Sequence, residues 1–383
     1  MHPIYLDSHA TTPVDPRVLE AMLPFFTEEF GNASSRNHPF GWSAAKAVER
    51  AREQVAALVG ARFRDVVFTS GATESNNLAI KGAAAVAPPD RRHVVTIATE
   101  HRAVLDACRA LERKGFRATY AGVDAEGRID LDRLRQAITG DTLLVSAMSG
   151  NNEIGVMHPI AAIAQMAHER GALFHCDAAQ SAGLVPIDVR KSGIDLLSLS
   201  GHKIYGPKGV GALYVARRDP AIRLEPLLDG GGHERGYRSG TLNVPAIVGF
   251  GRAAALCREH ADEASRLGAL RDRLWSALTS RLDGVHLNGP AEPRLPNNLN
   301  VRVESVHGES LLKAIASDVA ISSGAACATA SAEPSHVLRA IGLADEEARA
   351  SLRFGLGRFS TEPEIDAAAA IVAGAVRHLR RRC

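Results

Sequence analysis

The sequence predicts an α/β fold: a mainly parallel sheet covered by helices on both faces, joined to a smaller α+β region. Three observations carry this. From Asp65 to about Val215, short apolar runs alternate with longer helix-compatible stretches, as strand–helix–strand units require. Between Asp219 and Pro245 the alternation stops, in a stretch holding Gly230-Gly231-Gly232, Gly236 and Gly240 that is long for a linker inside a compact domain. Beyond it the chain changes character, which places a domain boundary near residue 260.

The elements follow in order. Trp42 to Val59 is rich in Ala and charge, has apolar residues at helical spacing, and stops at Gly60, a suitable C-cap. Val66-Val67-Phe68, Val94-Val95-Thr96-Ile97, Leu143-Leu144-Val145, Leu173-Phe174-His175 and Leu196-Leu197-Ser198-Leu199 are short enough for buried strands. Ala246 to about Leu282 reads as one long helix or two. Asn297 to Val303 alternates like a strand, and Thr361 to Arg380 reads as a terminal helix. No internal repeat is present.

Composition limits what such a chain can be. Its 383 residues, at roughly 150 per domain, give about 2.6 units, so two or three are expected. Hydrophobic residues at 45% and charged residues at 23% suit a large core and exclude wholesale disorder. With 45 Lys and Arg against 43 Asp and Glu, no global field attracts nucleic acid or an anionic membrane. The apolar runs fall far short of the roughly 20 residues of a bilayer span, and the first residues lack a secretory pattern. A cytoplasmic protein is expected. Five widely spaced cysteines suggest neither a disulfide framework nor a zinc ribbon, and being odd in number they leave a thiol free for chemistry.

In open α/β sheets ligands sit beyond the C-terminal strand ends, so the residues following each apolar run carry the chemistry. After the first run comes Thr69-Ser70-Gly71-Ala72-Thr73-Glu74, a small-residue turn opening a helix. Its amides, with the hydroxyls of Ser70 and Thr73, suit a phosphate, and they equally suit an ordinary Thr N-cap. His101, after the second run, can carry protons or stack on a flat ring, or be a satisfied surface histidine. Asn151 and Asn152 can bond a ring hydroxyl or form a plain turn.

Asp177, with Gln180 behind it, ends a buried strand, where an acid calls for a cationic partner. Lys203 directly follows another buried strand. There its amine can be made nucleophilic, although most lysines are solvated surface charges. Pyridoxal phosphate (PLP) needs this combination: a lysine for the Schiff base, an acid at the pyridinium nitrogen, a phosphate cup at a helix N-terminus and something flat over the ring.

Three long motifs then resemble known proteins. Phe68 to Ser75 (Phe-Thr-Ser-Gly-Ala-Thr-Glu-Ser), Ser200 to Gly209 (Ser-Gly-His-Lys-Ile-Tyr-Gly-Pro-Lys-Gly) and Gly230 to Gly236 (Gly-Gly-Gly-His-Glu-Arg-Gly) resemble the class V aminotransferase family, specifically cysteine desulfurases of the IscS/NifS type. The likeness runs from Tyr5-Leu6-Asp7 to about Arg358. It implies a fold-type I homodimer, with a large PLP-binding domain of residues 16–260 around a mainly parallel seven-stranded sheet. Residues 1–15 and 261–383 would form the small domain.

Matched motif to motif, Lys203 is implied as the Schiff-base lysine, Asp177 as the pyridinium partner and His101 as the ring-stacking acid/base. Thr73, Ser200 and His202 are implied as phosphate ligands, and Asn152 and Gln180 as neighbours of the ring and its phenolic oxygen. Thr241 would reach the phosphate from the partner subunit. Arg353 would clamp the substrate carboxylate, a role suited to a bidentate guanidinium; otherwise it is a surface ion pair. Ser322 to Cys327, followed by Glu333-Pro334-Ser335, resembles the persulfide loop, and small residues around Cys327 suit a thiol that must travel.

Two departures qualify the likeness. Ser8-His9 follow Asp7 where members often carry another pair. The chain also ends at Arg380-Arg381-Arg382-Cys383, without the segment that housekeeping IscS proteins use to dock an iron–sulfur scaffold, which points to a specialised donor such as the desulfurases of DNA phosphorothioation clusters.

The expected activity is thus conversion of L-cysteine to L-alanine with a persulfide on Cys327. The sulfur would pass to an acceptor protein for iron–sulfur assembly or for DNA or tRNA thiolation. Two readings compete: a related lyase or aminotransferase needing no thiol, and a nucleic-acid or partner-binding protein built on Arg377, Arg380, Arg381 and Arg382. The arginines equally suit a solvated helix end.

Overall fold

The computed structural model describes residues 3–323 and 333–381. Its strands, in chain order, are β1 (Ile4–Tyr5), β2 (Val66–Thr69), β3 (His93–Ile97), β4 (Arg117–Ala121), β5 (Thr142–Ser146), β6 (Leu173–Asp177), β7 (Leu196–Ser200), β8 (Gly211–Val215), β9 (Val285–Leu287), β10 (Asn298–Val303), β11 (Val319–Ala320), β12 (Ser322–Ser323) and β13 (Ser351–Gly355). Seven of them form one sheet, ordered β2-β8-β7-β6-β5-β3-β4. Within it only β8 runs against its neighbours β7 and β2; the other paired strands are parallel. The expected mainly parallel seven-stranded sheet is the observed one.

All five expected apolar runs are strands of this sheet, each a residue or two longer than its apolar segment. Two strands were not singled out. β4 is a partly exposed edge strand of mixed polarity, and β8 is the reversed one. Side chains on the two faces enter two cores. One includes Phe174, Phe250 and Val55, and the other Leu78, Leu111 and Leu213. Helix Pro39–Leu58 starts three residues before the expected Trp42, with Pro39 as its first residue, a position where proline's missing N–H costs nothing.

The segment expected as one helix or two is two: Val244–Glu259, which packs on the first core, and Glu263–Thr279. The second buries Leu267, Leu270, Leu274 and Leu278 along one stripe against helix Glu362–Arg380 and a four-stranded antiparallel sheet, β12-β13-β10-β9. β1 pairs in parallel with β11, and Asp7 bridges to Gly355, so the N-terminal strand is tied to the C-terminal part of the chain. No helix among the described residues is long and apolar enough to cross a membrane.

Candidate active site

Parallel packing brings the C-terminal ends of β2, β3, β5, β6 and β7 to one edge of the sheet, and a cavity of about 560 Å³ opens there. Its lining includes Thr73, His101, Asn152, Asp177, Gln180, Ser200, His202, Lys203 and Arg353, residues spread over some 280 positions of sequence. The antiparallel β8 contributes Lys208 and Gly209 at its start, because reversal puts its N-terminal end on the same edge. Thr241 is exposed and does not line this cavity. Cys327 lies outside the described residues.

The floor is an acid held by neutral donors. Asp177, almost fully buried, accepts from Asn76 Nδ2 at 2.7 Å and from the Ala179 amide at 2.9 Å. The cationic partner expected for it is therefore not supplied by either of these groups. Within its electrostatic reach is Glu100, whose Oε1 accepts from the Met148 amide while Oε2 is buried with no partner among the described residues. Burial, reinforced by the Asp177 charge, holds that carboxyl well above the usual range.

Lys203 reaches the cavity from the turn after β7, donating to the carbonyls of His9 and Ala10, the latter at 2.9 Å. It is half-buried, not a solvated surface lysine. His202 beside it bonds Thr11 Oγ1 through Nδ1 at 3.1 Å. Burial and the charges of Lys203 and Lys208 push its pKa down to about 4, so its ring is neutral near pH 7. His101 caps helix Arg102–Glu112: its Nδ1 accepts from the Ala103 amide at 3.1 Å, leaving Nε2 to exchange a proton with a ligand. Desolvation by the cavity walls lowers its pKa below the ordinary histidine value.

At the first helix, the expected Thr N-cap is not what forms. Helix Ala72–Ala85 has Gly71 as its N-cap, with no side-chain cap and a φ of 152° that favours glycine. Its first amides are left for another partner, with Ser200, His202 and Thr73 around the same cavity.

Arg353 is buried, which replaces the surface ion pair that was its alternative reading. Its Nη2 donates to Asp7 Oδ1 at 3.0 Å and to Ser322 Oγ at 2.8 Å, its Nη1 donates to the Asn152 carbonyl at 3.3 Å, and its Nε is buried with no partner among the described residues. Several wall residues had no signal of their own in the sequence. His9 comes from the turn after the N-terminal strand, as does Asp7, which holds Arg353 behind the wall; Glu153 comes from a turn, and His336 from helix His336–Ala340. The nearest hint was the unusual Ser8-His9 pair.

Of the cysteines, Cys108, Cys176 and Cys257 are buried in the cores. Burial pushes Cys108 up to about 12, Cys257 to about 11 and Cys176 well above the ordinary thiol value, so none is a thiolate near neutral pH.

The model of the family described as "Aminotransferase class-V" matches residues 4–368. Over 379 residues the chain is 59% identical to a protein named cysteine desulfurase IscS from Anaeromyxobacter sp. (strain Fw109-5), covering 99% of this chain and 93% of that one. A solved structure titled "NIFS-LIKE PROTEIN" superposes with a TM-score of 0.92 at 36% identity, covering 99% of this chain and 100% of that one. The crystal structure of DndA from Streptomyces lividans does so with a TM-score of 0.78 at 43% identity, covering 92% of this chain and 99% of that one. Sequence, fold and the residues gathered at the sheet edge agree: the chain belongs to the class-V aminotransferase family.

Proposed function

We propose that this chain is a PLP-dependent cysteine desulfurase that converts L-cysteine to L-alanine, leaving the sulfur as a persulfide on Cys327. The single observation that carries the reading is the convergence of Lys203, Asp177, His101 and Arg353 on one cavity beside a helix N-terminus with no side-chain cap.

The residues fit the cofactor. Around Gly71 nothing within 4 Å obstructs the space a Cβ would occupy, so the helix amides are open to a phosphate, and Ser200, His202 and Thr73 stand ready to join them. Lys203 would hold the aldehyde carbon, Asp177 the ring nitrogen, and Asn152 and Gln180 the ring's polar edge. Thr241, outside this cavity, would serve the phosphate site of a partner subunit in a homodimer. When bound, PLP supplies an electron sink for substrate carbanions.

The chain's own residues do the rest. Arg353 binds the substrate carboxylate through donors it does not use internally. His101, with Nδ1 fixed as a cap, moves a proton at Nε2. The Cys327 thiolate attacks the substrate sulfur; the carbon–sulfur bond breaks with its electron pair on carbon, which takes up a proton to become the methyl group of alanine. The three buried cysteines, held as thiols, leave this attack to a cysteine outside the cores. We read residues 16–260 as the large domain, and residues 1–15 and 261–383 as the small domain that carries Cys327. The persulfide would then pass to an acceptor protein of iron–sulfur assembly or nucleic-acid thiolation.

The test is uptake of PLP followed by turnover of L-cysteine. The wild-type chain should develop a visible absorption band and release alanine, and Lys203→Ala should do neither. A lysine-bound chromophore in Lys203→Ala would overturn the assignment.

A further inference from the structure

One residue that the family likeness does not assign lies between the small-domain sheet and the cavity. We propose that His9 is a positioning residue: by donating from Nδ1 it fixes the Gln180 amide with Nε2 toward the cavity, as a hydrogen-bond donor to an anionic oxygen of the ligand. The inference rests on the PLP reading above, in which that oxygen is the phenolic oxygen of the ring.

The donor directions follow one from another, starting at a group that can only donate. Arg294 is buried and spends its guanidinium on the carbonyls of Pro290 and Asn288 and on Asn298 Oδ1 at 2.9 Å. A guanidinium has no acceptor, so the Asn298 oxygen is fixed toward it and the Asn298 Nδ2 faces the other way. That Nδ2 donates to the Glu153 carbonyl at 3.0 Å and meets His9 Nε2 at 3.2 Å, which assigns Nε2 as the acceptor of this pair; the Asn297 backbone also faces the ring. The remaining proton of the neutral ring is then on Nδ1, 2.9 Å from Gln180 Oε1. Gln180 Nε2 in turn donates to the His9 carbonyl at 3.1 Å.

One residue therefore grips both ends of the Gln180 amide, side chain on oxygen and backbone on nitrogen. The flipped amide would set oxygen against the His9 carbonyl, which already receives Lys203, and N–H against N–H. Nε2 keeps a second hydrogen for the cavity that Gln180 lines. His9 is 1% exposed; burial, then the charges of Arg353 and Lys203, hold its pKa down to about 3, so the ring is neutral over the working pH range and the relay does not switch.

The experiment compares His9→Asn, His9→Gln and His9→Phe with wild type. Asn places its amide where Nδ1 stood and can still donate to Gln180. Gln reaches the Nε2 position and Phe has neither nitrogen. Each protein is loaded with PLP, without cysteine, and the pH midpoint of its visible band is titrated. An oxygen that loses its donor holds the neighbouring proton more tightly, so the midpoint should rise by about 0.5–1 pH unit in His9→Phe and His9→Gln and stay near wild type in His9→Asn. A merely structural role would order the variants by fit and not by the nitrogen they restore. Midpoints of the Gln and Phe variants within about 0.2 pH unit of wild type overturn the inference alone, and so does a shift in His9→Asn equal to that of Phe. A wild-type chain that takes up no PLP overturns the functional reading together with it.

Discussion

Replacing Arg353 by lysine keeps a cation in the wall of the cavity but removes the fork. Three internal acceptors surround the guanidinium: Asp7 Oδ1, Ser322 Oγ and the Asn152 carbonyl, at 3.0, 2.8 and 3.3 Å. An ammonium has three hydrogens, and these acceptors can use them all. The wild-type residue still has two unused hydrogens, one on Nε, which has no partner among the described residues, and one on Nη1. A carboxylate bound there gains one charge-assisted hydrogen bond that the ammonium could not supply, worth about 1.5–3 kcal/mol. At 1.4 kcal/mol per tenfold, Arg353→Lys should raise KM for L-cysteine about 10- to 100-fold, with a smaller change in kcat. Steady-state alanine release over a range of cysteine concentrations measures it, with a urea midpoint confirming that the variant is folded. A folded variant with KM within about threefold of wild type would place the carboxylate site elsewhere.

Two further outcomes follow from buried charge. Glu234 accepts from Arg52 at 2.6 and 2.8 Å and from the Phe68 amide at 2.7 Å, with both side chains buried, so Glu234→Gln removes the buried counter-charge of Arg52, leaves it only the half-exposed Glu49, and should cost about 3 kcal/mol in urea unfolding; a cost under about 1 kcal/mol would contradict this. Buried His9, His158 and His175 have pKa values pushed down to about 3, 4 and 4, chiefly by desolvation. The unfolded chain takes up protons at these groups below about pH 6.5 while the folded chain does not, so each removes on the order of 2 kcal/mol of stability by pH 5 and none above pH 7. Melting temperatures should fall steadily from pH 7 to 5, and a flat profile would show that these rings charge inside the fold.

What the sequence reveals depends on whether the signal is local. The five apolar strands read clearly because their burial on both faces leaves almost continuous apolar runs. β4, partly exposed at the sheet edge, has no such run to show. At the site, Lys203, Asp177 and His101 are legible because each lies at, or within four residues of, the C-terminal end of its strand, and parallel topology gathers such positions. Arg353 came from resemblance, and nothing near it in the chain announces its pairing with Asp7, which spans 346 positions. The contact of His9 with Asn298 spans 289 and depends on the bridge between Asp7 and Gly355. Long-range register of this kind is set by packing between β1, β11 and β13, and no single segment encodes it.

The most direct test of the account separates cofactor chemistry from sulfur chemistry at Cys327. PLP-loaded wild type and Cys327→Ser are each given one equivalent of L-cysteine, then alkylated and analysed by peptide mass spectrometry alongside alanine release. Wild type should carry one added sulfur on the Cys327 peptide and release matching alanine. Cys327→Ser should show the visible band and its change on adding cysteine, with neither added sulfur nor alanine. Alanine release by the serine variant at the wild-type rate, or persulfide on Cys108, Cys176 or Cys257 in place of Cys327, would contradict it.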